Sequence, residues 1–122
     1  MEFLPLFFDL KKSTALVFGA TDAAARKVEV LLKASCRVIL IAEELSQSLN
    51  AHIESPLFKH SRRDDESQWD AAHLIVAATG DISLDEKIAT VAKSKKLPVN
   101  VVNRADLSAF VFPSIIDRSP II

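Results

Sequence analysis

The sequence predicts an α/β fold, a mostly parallel five-stranded sheet flanked by helices, and three observations carry that prediction. Short apolar runs at residues 15–18, 37–41, 73–78 and 98–102, with a weaker one at 57–60, read as strands. Helix-forming segments separate them, giving the order β-α-β-α-β-α-β-α-β, and such alternation folds into parallel strands joined by right-handed crossovers. The first run stops at Gly19 and gives way within three residues to a helical pattern, so a strand, a tight turn and a helix follow directly on one another.

Taken in order, residues 3–8 form an apolar lead-in expected to pack on the sheet edge, and Lys11, Lys12 and Ser13 turn the chain into the first strand. That strand is apolar throughout, as one buried on both faces must be. The first helix is expected over 22–34, with Thr21 or Asp22 as its cap and Ala24, Val28, Leu31 and Leu32 on one face. The second strand, 37–41, is β-branched and apolar. A short helix over 44–53 and the third strand, 57–60, come next. Arg62 to Glu66 read as a solvated turn leading into a helical turn around Trp69, itself a core anchor. The fourth strand, 73–78, closes on Thr79-Gly80-Asp81, and the helix at 84–95 shows Leu84, Ile88, Val91 and Ala92 on one face. The fifth strand, 98–102, ends at Asn103, after which an apolar, proline-bearing stretch runs to Ile122 and suggests contact with a partner.

Composition bounds the functions open to such a chain. Its 122 residues suffice for one domain and one core, and 49% apolar with 25% charged residues is ordinary for a soluble globular protein. A net charge of -1 creates no field for nucleic acid or an anionic membrane, so neither is expected as a partner and any anion site must be local. Cys36 is the single cysteine, which excludes an intrachain disulfide; zinc-type Cys/His spacing is absent, no metal site is expected, and a reducing cytoplasm fits best. The greasy start is short, contains Pro5 and lies between acids, unlike a signal peptide. No run approaches the roughly 20 apolar residues that span a bilayer.

The candidate site follows from the strand ends. Gly19-Ala20-Thr21-Asp22-Ala23-Ala24 occupies the place of a G-x-G-x-x-G/A turn, keeping its first glycine and small last position but with threonine in the middle. A helix N-terminus at such a turn favours a pyrophosphate through its free N–H groups and dipole; a plain strand-to-helix turn needs only the one glycine. Glu43 and Glu44 lie about 20 residues further on, where an acid meets ribose hydroxyls, although acids at a helix start also suit the dipole alone. Thr79 and Asp81 flank the other glycine, Gly80, and can contact a polar ligand or, for Asp81, cap the next helix. His52, His60 and His73 sit on different elements without metal spacing and read as structural. Cys36 reads as a small apolar filler, and Lys93, Lys95 and Lys96 suit the end of their helix.

Several segments together resemble the N-terminal domain of siroheme synthase: Leu4-Pro5-Leu6-Phe7 with Asp9-Leu10, the Gly19 turn with Arg26-Lys27 and Leu31-Leu32, Ala77-Ala78-Thr79, and Asn100-Val101-Val102. The tail Phe112-Pro113-Ser114-Ile115-Ile116-Asp117-Arg118-Ser119-Pro120 carries the most specific likeness. The resemblance implies a Rossmann-like NAD(P)-binding domain over 1–112, with 113–122 beginning a dimerising extension; Asp117 and Arg118, read from the residues alone, are expected to form a structural ion pair near that contact. It implies NAD as cofactor and a tetrapyrrole substrate, with precorrin-2 oxidised to sirohydrochlorin and ferrous iron inserted in the same cleft. Dinucleotide contacts fall on Asp22, Ala23, Glu43 and Glu44, and the family's catalytic aspartate falls on Asn103.

Two positions depart from that pattern. The family's turn is usually three glycines, whereas Thr21 puts a branched side chain where backbone should approach phosphate. Asn103 is an amide that neither accepts a proton nor offers iron a charge. Thr21 and Asn103 are expected on neighbouring strand ends. Family members continue beyond the Ser-Pro into segments that cover the tetrapyrrole. Two readings follow: a precorrin-2 dehydrogenase-like domain, or an inactive relative that binds a nucleotide or tetrapyrrole as a regulatory module.

Overall fold

The computed structural model of the protein describes residues 3–112. Five strands, β1 (Thr14–Phe18), β2 (Arg37–Ile41), β3 (Phe58–Ser61), β4 (Leu74–Ala77) and β5 (Val99–Val101), form one sheet in the order β3-β2-β1-β4-β5. Every neighbouring pair is parallel. Four helices, α1 (Asp22–Lys33), α2 (Gln47–Asn50), α3 (Glu66–Ala71) and α4 (Ile82–Ser94), connect them, and a 3₁₀ turn (Ala105–Leu107) follows β5. The mostly parallel sheet expected from the sequence is parallel throughout.

Burial explains why these residues make these elements. All five residues of β1 are buried, because the strand has neighbours on both edges and helices on both faces. Ala15 and Val17 face a cluster completed by Val38, Leu40, Val28 and Leu31 of α1, and Leu49 of α2. Leu16 and Phe18 face the opposite cluster, with Ile75, Trp69 of α3, and Ile88 and Ala92 of α4. Full burial of an aliphatic side chain contributes about 1.5–3 kcal/mol, so these two clusters are what hold the strand ends in place.

The helices start where side chains can cap them. Thr21 Oγ1 accepts from the Ala24 N–H at 3.1 Å, and Asp22 and Lys33 complement the dipole at the two ends of α1. Asp81 accepts from the Leu84 N–H at 3.2 Å, so α4 begins two residues earlier than the 84–95 expected. Ser46 caps α2, which shortens the helix expected over 44–53 to Gln47–Asn50 and leaves Glu43 and Glu44 outside any helical turn. Helix α3 carries a reciprocal capping box between Asp65 and Gln68. β3 sits one residue later than expected, because the Leu57 carbonyl already accepts from Val38.

The lead-in departs from expectation more sharply. β2 and β4 already flank β1, the strand that residues 3–8 lead into, and the lead-in joins neither sheet edge: Leu4, Leu6, Phe7 and Phe8 are exposed. Leu10 is where the chain meets the core. After β5 the chain folds back over the first cluster through Phe110 and Phe112, with the Lys27 ammonium 4.7 Å above the Phe112 ring. The Asn100 side chain donates to the Phe110 carbonyl at 2.9 Å and Ala109 N–H to Val99 at 2.7 Å, so this return is stitched to β5. The expected extension over 113–122, with Asp117 and Arg118, lies outside the described residues.

Candidate functional site

The strand order reverses direction between β1 and β4, and at such a switch point the carboxyl ends of the strands part to leave a crevice. Gly19 leaves β1 at this point. Its N–H donates to the Ile41 carbonyl at 2.9 Å, and its φ is +116°. A Cβ at position 19 would lie 2.2 Å from the Ala78 carbonyl oxygen. Only glycine lets the end of β1 pass the end of β4 so closely.

Thr21 sits one residue beyond Ala20, which packs partly on the first core cluster. The Thr21 hydroxyl donates to the Ala78 carbonyl at 2.8 Å while capping α1, and its methyl lies 3.5 Å from where a Gly80 Cβ would be. The branched side chain expected in the path of a phosphate is therefore turned toward β4 and the loop after it. Asp22 and Ala23 follow in the first turn of α1, where backbone N–H groups have no carbonyl within the helix to serve. Together with the dipole, those groups offer an anion site.

From here the crevice, about 880 Å³, extends across the ends of β1, β2 and β4 toward α3 and α4. Its floor is apolar: Phe18, Ile41, Ile88 and Trp69, whose ring centroid is 5.5 Å from that of Phe18. Asp64 fixes the Trp69 indole by accepting its N–H at 2.8 Å. Gly19, Glu43 and Thr79 line the crevice; Ala20, Thr21, Asp22, Ala23, Glu44 and Asp81 do not, Glu44 being exposed, Thr21 turned toward β4 and Asp81 serving as the α4 cap. Asn103 occupies an exposed turn at the end of β5 with φ +61°, a conformation that asparagine tolerates. β4 lies between β1 and β5, so Thr21 and Asn103 are not on neighbouring strand ends.

Three arrangements around the site have weak signals in the sequence. Asp85 is 7% exposed, and its carboxylate accepts from both the Thr79 N–H (3.1 Å) and the Thr79 hydroxyl (2.7 Å). Thr79 Oγ1 in turn accepts from the Asp81 N–H at 3.1 Å, so Asp85 sets the shape of the β4–α4 loop. The signal was an acid three and four residues before Ile88 and Ala89 on the buried face of α4. Lys95 pairs with Glu66 across the crevice wall, and hydrogen bonding to that carboxylate raises its pKa. Arg104 reaches both Glu86 of α4 (3.1 Å) and Asp106 (3.0 Å), anchoring the turn that carries Asn103.

The three histidines and Cys36 contact the fold rather than the crevice. His60 Nε2 lies 2.7 Å from the Ala42 carbonyl, His73 Nδ1 accepts from the Thr14 N–H at 3.0 Å, and His52 packs near Phe58. Cys36 is buried, which pushes its thiol up to about 11. Among the described residues no group of three or more His, Cys, Asp and Glu is placed to hold a metal, and no helix is long and apolar enough to cross a membrane.

Comparison with known proteins agrees with this geometry. Residues 6–114 match the model of a family described as "Putative NAD(P)-binding". The siroheme synthase of Nitrosomonas europaea is 40% identical over 126 aligned positions, covering 100% of this chain and 26% of that protein. That of Psychromonas ingrahamii is 39% identical with the same coverage. The chain thus spans about a quarter of the length of these relatives. Among solved structures, SirC, a precorrin-2 dehydrogenase, superposes with a TM-score of 0.70 at 22% identity, over 93% of this chain and 54% of that one, and so shares the Rossmann-like fold.

Proposed function

The chain belongs to the NAD(P)-binding family that siroheme synthases carry, and from that membership we propose that it binds NAD and serves the oxidation of precorrin-2 to sirohydrochlorin. The supporting observation is the crevice at the β1–β4 switch, where Gly19, Glu43 and an apolar floor meet, with the first turn of α1 starting three residues after Gly19. The donor set fits a dinucleotide. Gly19, Ala20 and Thr21 form the turn, and Asp22 and Ala23 present first-turn N–H groups to a pyrophosphate. Glu43, with Glu44 beside it, accepts from ribose hydroxyls, and the floor around Trp69 suits a planar ring. Thr79, held by Asp85, borders the other half of the ligand, and Asp81 shapes its loop by donating its N–H to the Thr79 hydroxyl. The nicotinamide, when bound, supplies the hydride acceptor.

Asn103 defines what this chain's residues leave undone. Its amide donates and accepts hydrogen bonds but takes no proton, so the proton lost in the oxidation goes to water, which reaches this exposed turn. A second reading, a nucleotide- or tetrapyrrole-binding module without oxidation, rests on that same residue. The compartment proposed is the cytoplasm, and the association proposed is a homodimer formed through the apolar 113–122 segment.

The test is NAD-dependent formation of sirohydrochlorin from precorrin-2, by the protein and by Asn103→Asp, whose backbone conformation aspartate also tolerates. The dehydrogenase reading expects turnover by the protein and about 100-fold faster turnover by the variant, the scale of a positioned base. NAD binding without turnover in either would overturn it in favour of the binding module.

A further inference from the structure

Arg62-Arg63-Asp64-Asp65-Glu66 looks self-neutralising in sequence, but the structure separates its charges. Asp64 is taken by the Trp69 indole, Asp65 accepts from the Ser67 hydroxyl and the Gln68 N–H, and Glu66 pairs with Lys95. Arg62 and Arg63 are exposed and make no ion pair among the described residues. They leave β3 where Ser61 stands beside Ile41 of β2, and the Ala42 N–H donates to the Ser61 carbonyl at 3.1 Å, holding the two strand ends together one residue further. The Ser61 hydroxyl donates to the Arg63 carbonyl at 2.8 Å and fixes the backbone of the turn. The result is a polar pocket of about 440 Å³ lined by Glu43, Ser61, Arg62 and Arg63, and opening on the main crevice through Glu43 and both arginines.

An acid alone at the end of β2 selects against a ribose phosphate by repulsion; a nearby arginine reverses that by offering forked donors and positive charge. Here two arginines and one carboxylate line the same pocket. We infer that this pocket receives the 2′-phosphate of NADP, so that the protein binds NADP at least as readily as NAD, Glu43 serving the ribose hydroxyls of the one and Arg62 and Arg63 the phosphate of the other. The inference rests on the dinucleotide reading above and names which dinucleotides it admits.

Calorimetric titration of the protein with NAD and NADP separately tests it, with circular dichroism confirming that variants keep their fold. NADP is expected to bind as tightly as NAD or tighter. The Arg62→Ala/Arg63→Ala double variant is expected to weaken NADP by about tenfold or more while NAD changes by less than about threefold. Glu43→Ala is expected to weaken NAD and spare or strengthen NADP, and 2′,5′-ADP should compete better than 5′-AMP. NAD binding with NADP about 30-fold weaker, or equal losses of both in the double variant, would overturn this inference alone. Failure of both dinucleotides to bind would overturn the dinucleotide reading, and this inference with it.

Discussion

The Thr21 hydroxyl donates to the Ala78 carbonyl at 2.8 Å, joining the turn after β1 to the end of β4 across 57 residues of sequence. The same oxygen caps α1 through Ala24. Losing a cap and a part-buried hydrogen bond together costs about 1–2 kcal/mol. Thr21→Val is expected to show that loss in urea denaturation, and Thr21→Ser to recover most of it. Thr21→Gly, which would restore the glycine usual at this turn, is expected to destabilise the fold even if it opens the turn to phosphate.

Gly19→Ala is the most disruptive single change expected in the molecule. The new Cβ would meet backbone atoms of Ala78 at 2.2 and 2.6 Å, at a φ of +116° that L-residues avoid. Relief requires parting β1 from β4, so the loss should be about 3 kcal/mol or more. Thermal denaturation with a marginal or absent transition is the expected outcome; a variant as stable as the parent would show that the two strand ends do not pack this closely.

Asp85→Ala leaves the Thr79 N–H and hydroxyl without their buried acceptor and should cost about 1–3 kcal/mol. Asp85→Asn keeps one acceptor oxygen and should cost less. Faster amide hydrogen exchange at Thr79 and Asp81 in the alanine variant would locate the loosening in the β4–α4 loop; unchanged exchange there would deny Asp85 its role.

Cys36 supplies a pH signature. Burial raises its thiol from 9.0 to about 11 in the folded protein. Below pH 9 both states hold the proton and nothing is lost. From pH 9 to 11 the unfolded chain releases the proton first, binds fewer protons than the native state, and stability falls. Cys36→Ser should remove that part of the decline, and alkylation of the native thiol near neutral pH should be slow and accelerate on unfolding.

The fold was legible because the central strands are buried on both faces, so β1, β2 and β4 appear as continuous apolar runs. β3, an edge strand with Lys59 and His60 outward or half-buried, gave a weaker signal and a boundary off by one. The helix expected over 44–53 is shorter because Ser46 caps it and the chain after Asn50 continues as turns. Gly19 announced the turn, but the direction of Thr21 depends on the end of β4, and the company Arg62 and Arg63 keep depends on Trp69, Gln68 and Lys95. Tertiary partners of that kind leave no local trace in the chain.

Binding of NAD tests the central claim most directly. Thermal denaturation is followed as NAD is raised into the millimolar range. A ligand at about 100 times its dissociation constant stabilises the native state by about 2.7 kcal/mol, so a concentration-dependent rise in Tm is the expected result, and it should shrink in Glu43→Ala. A Tm that does not move at any NAD concentration would contradict the account.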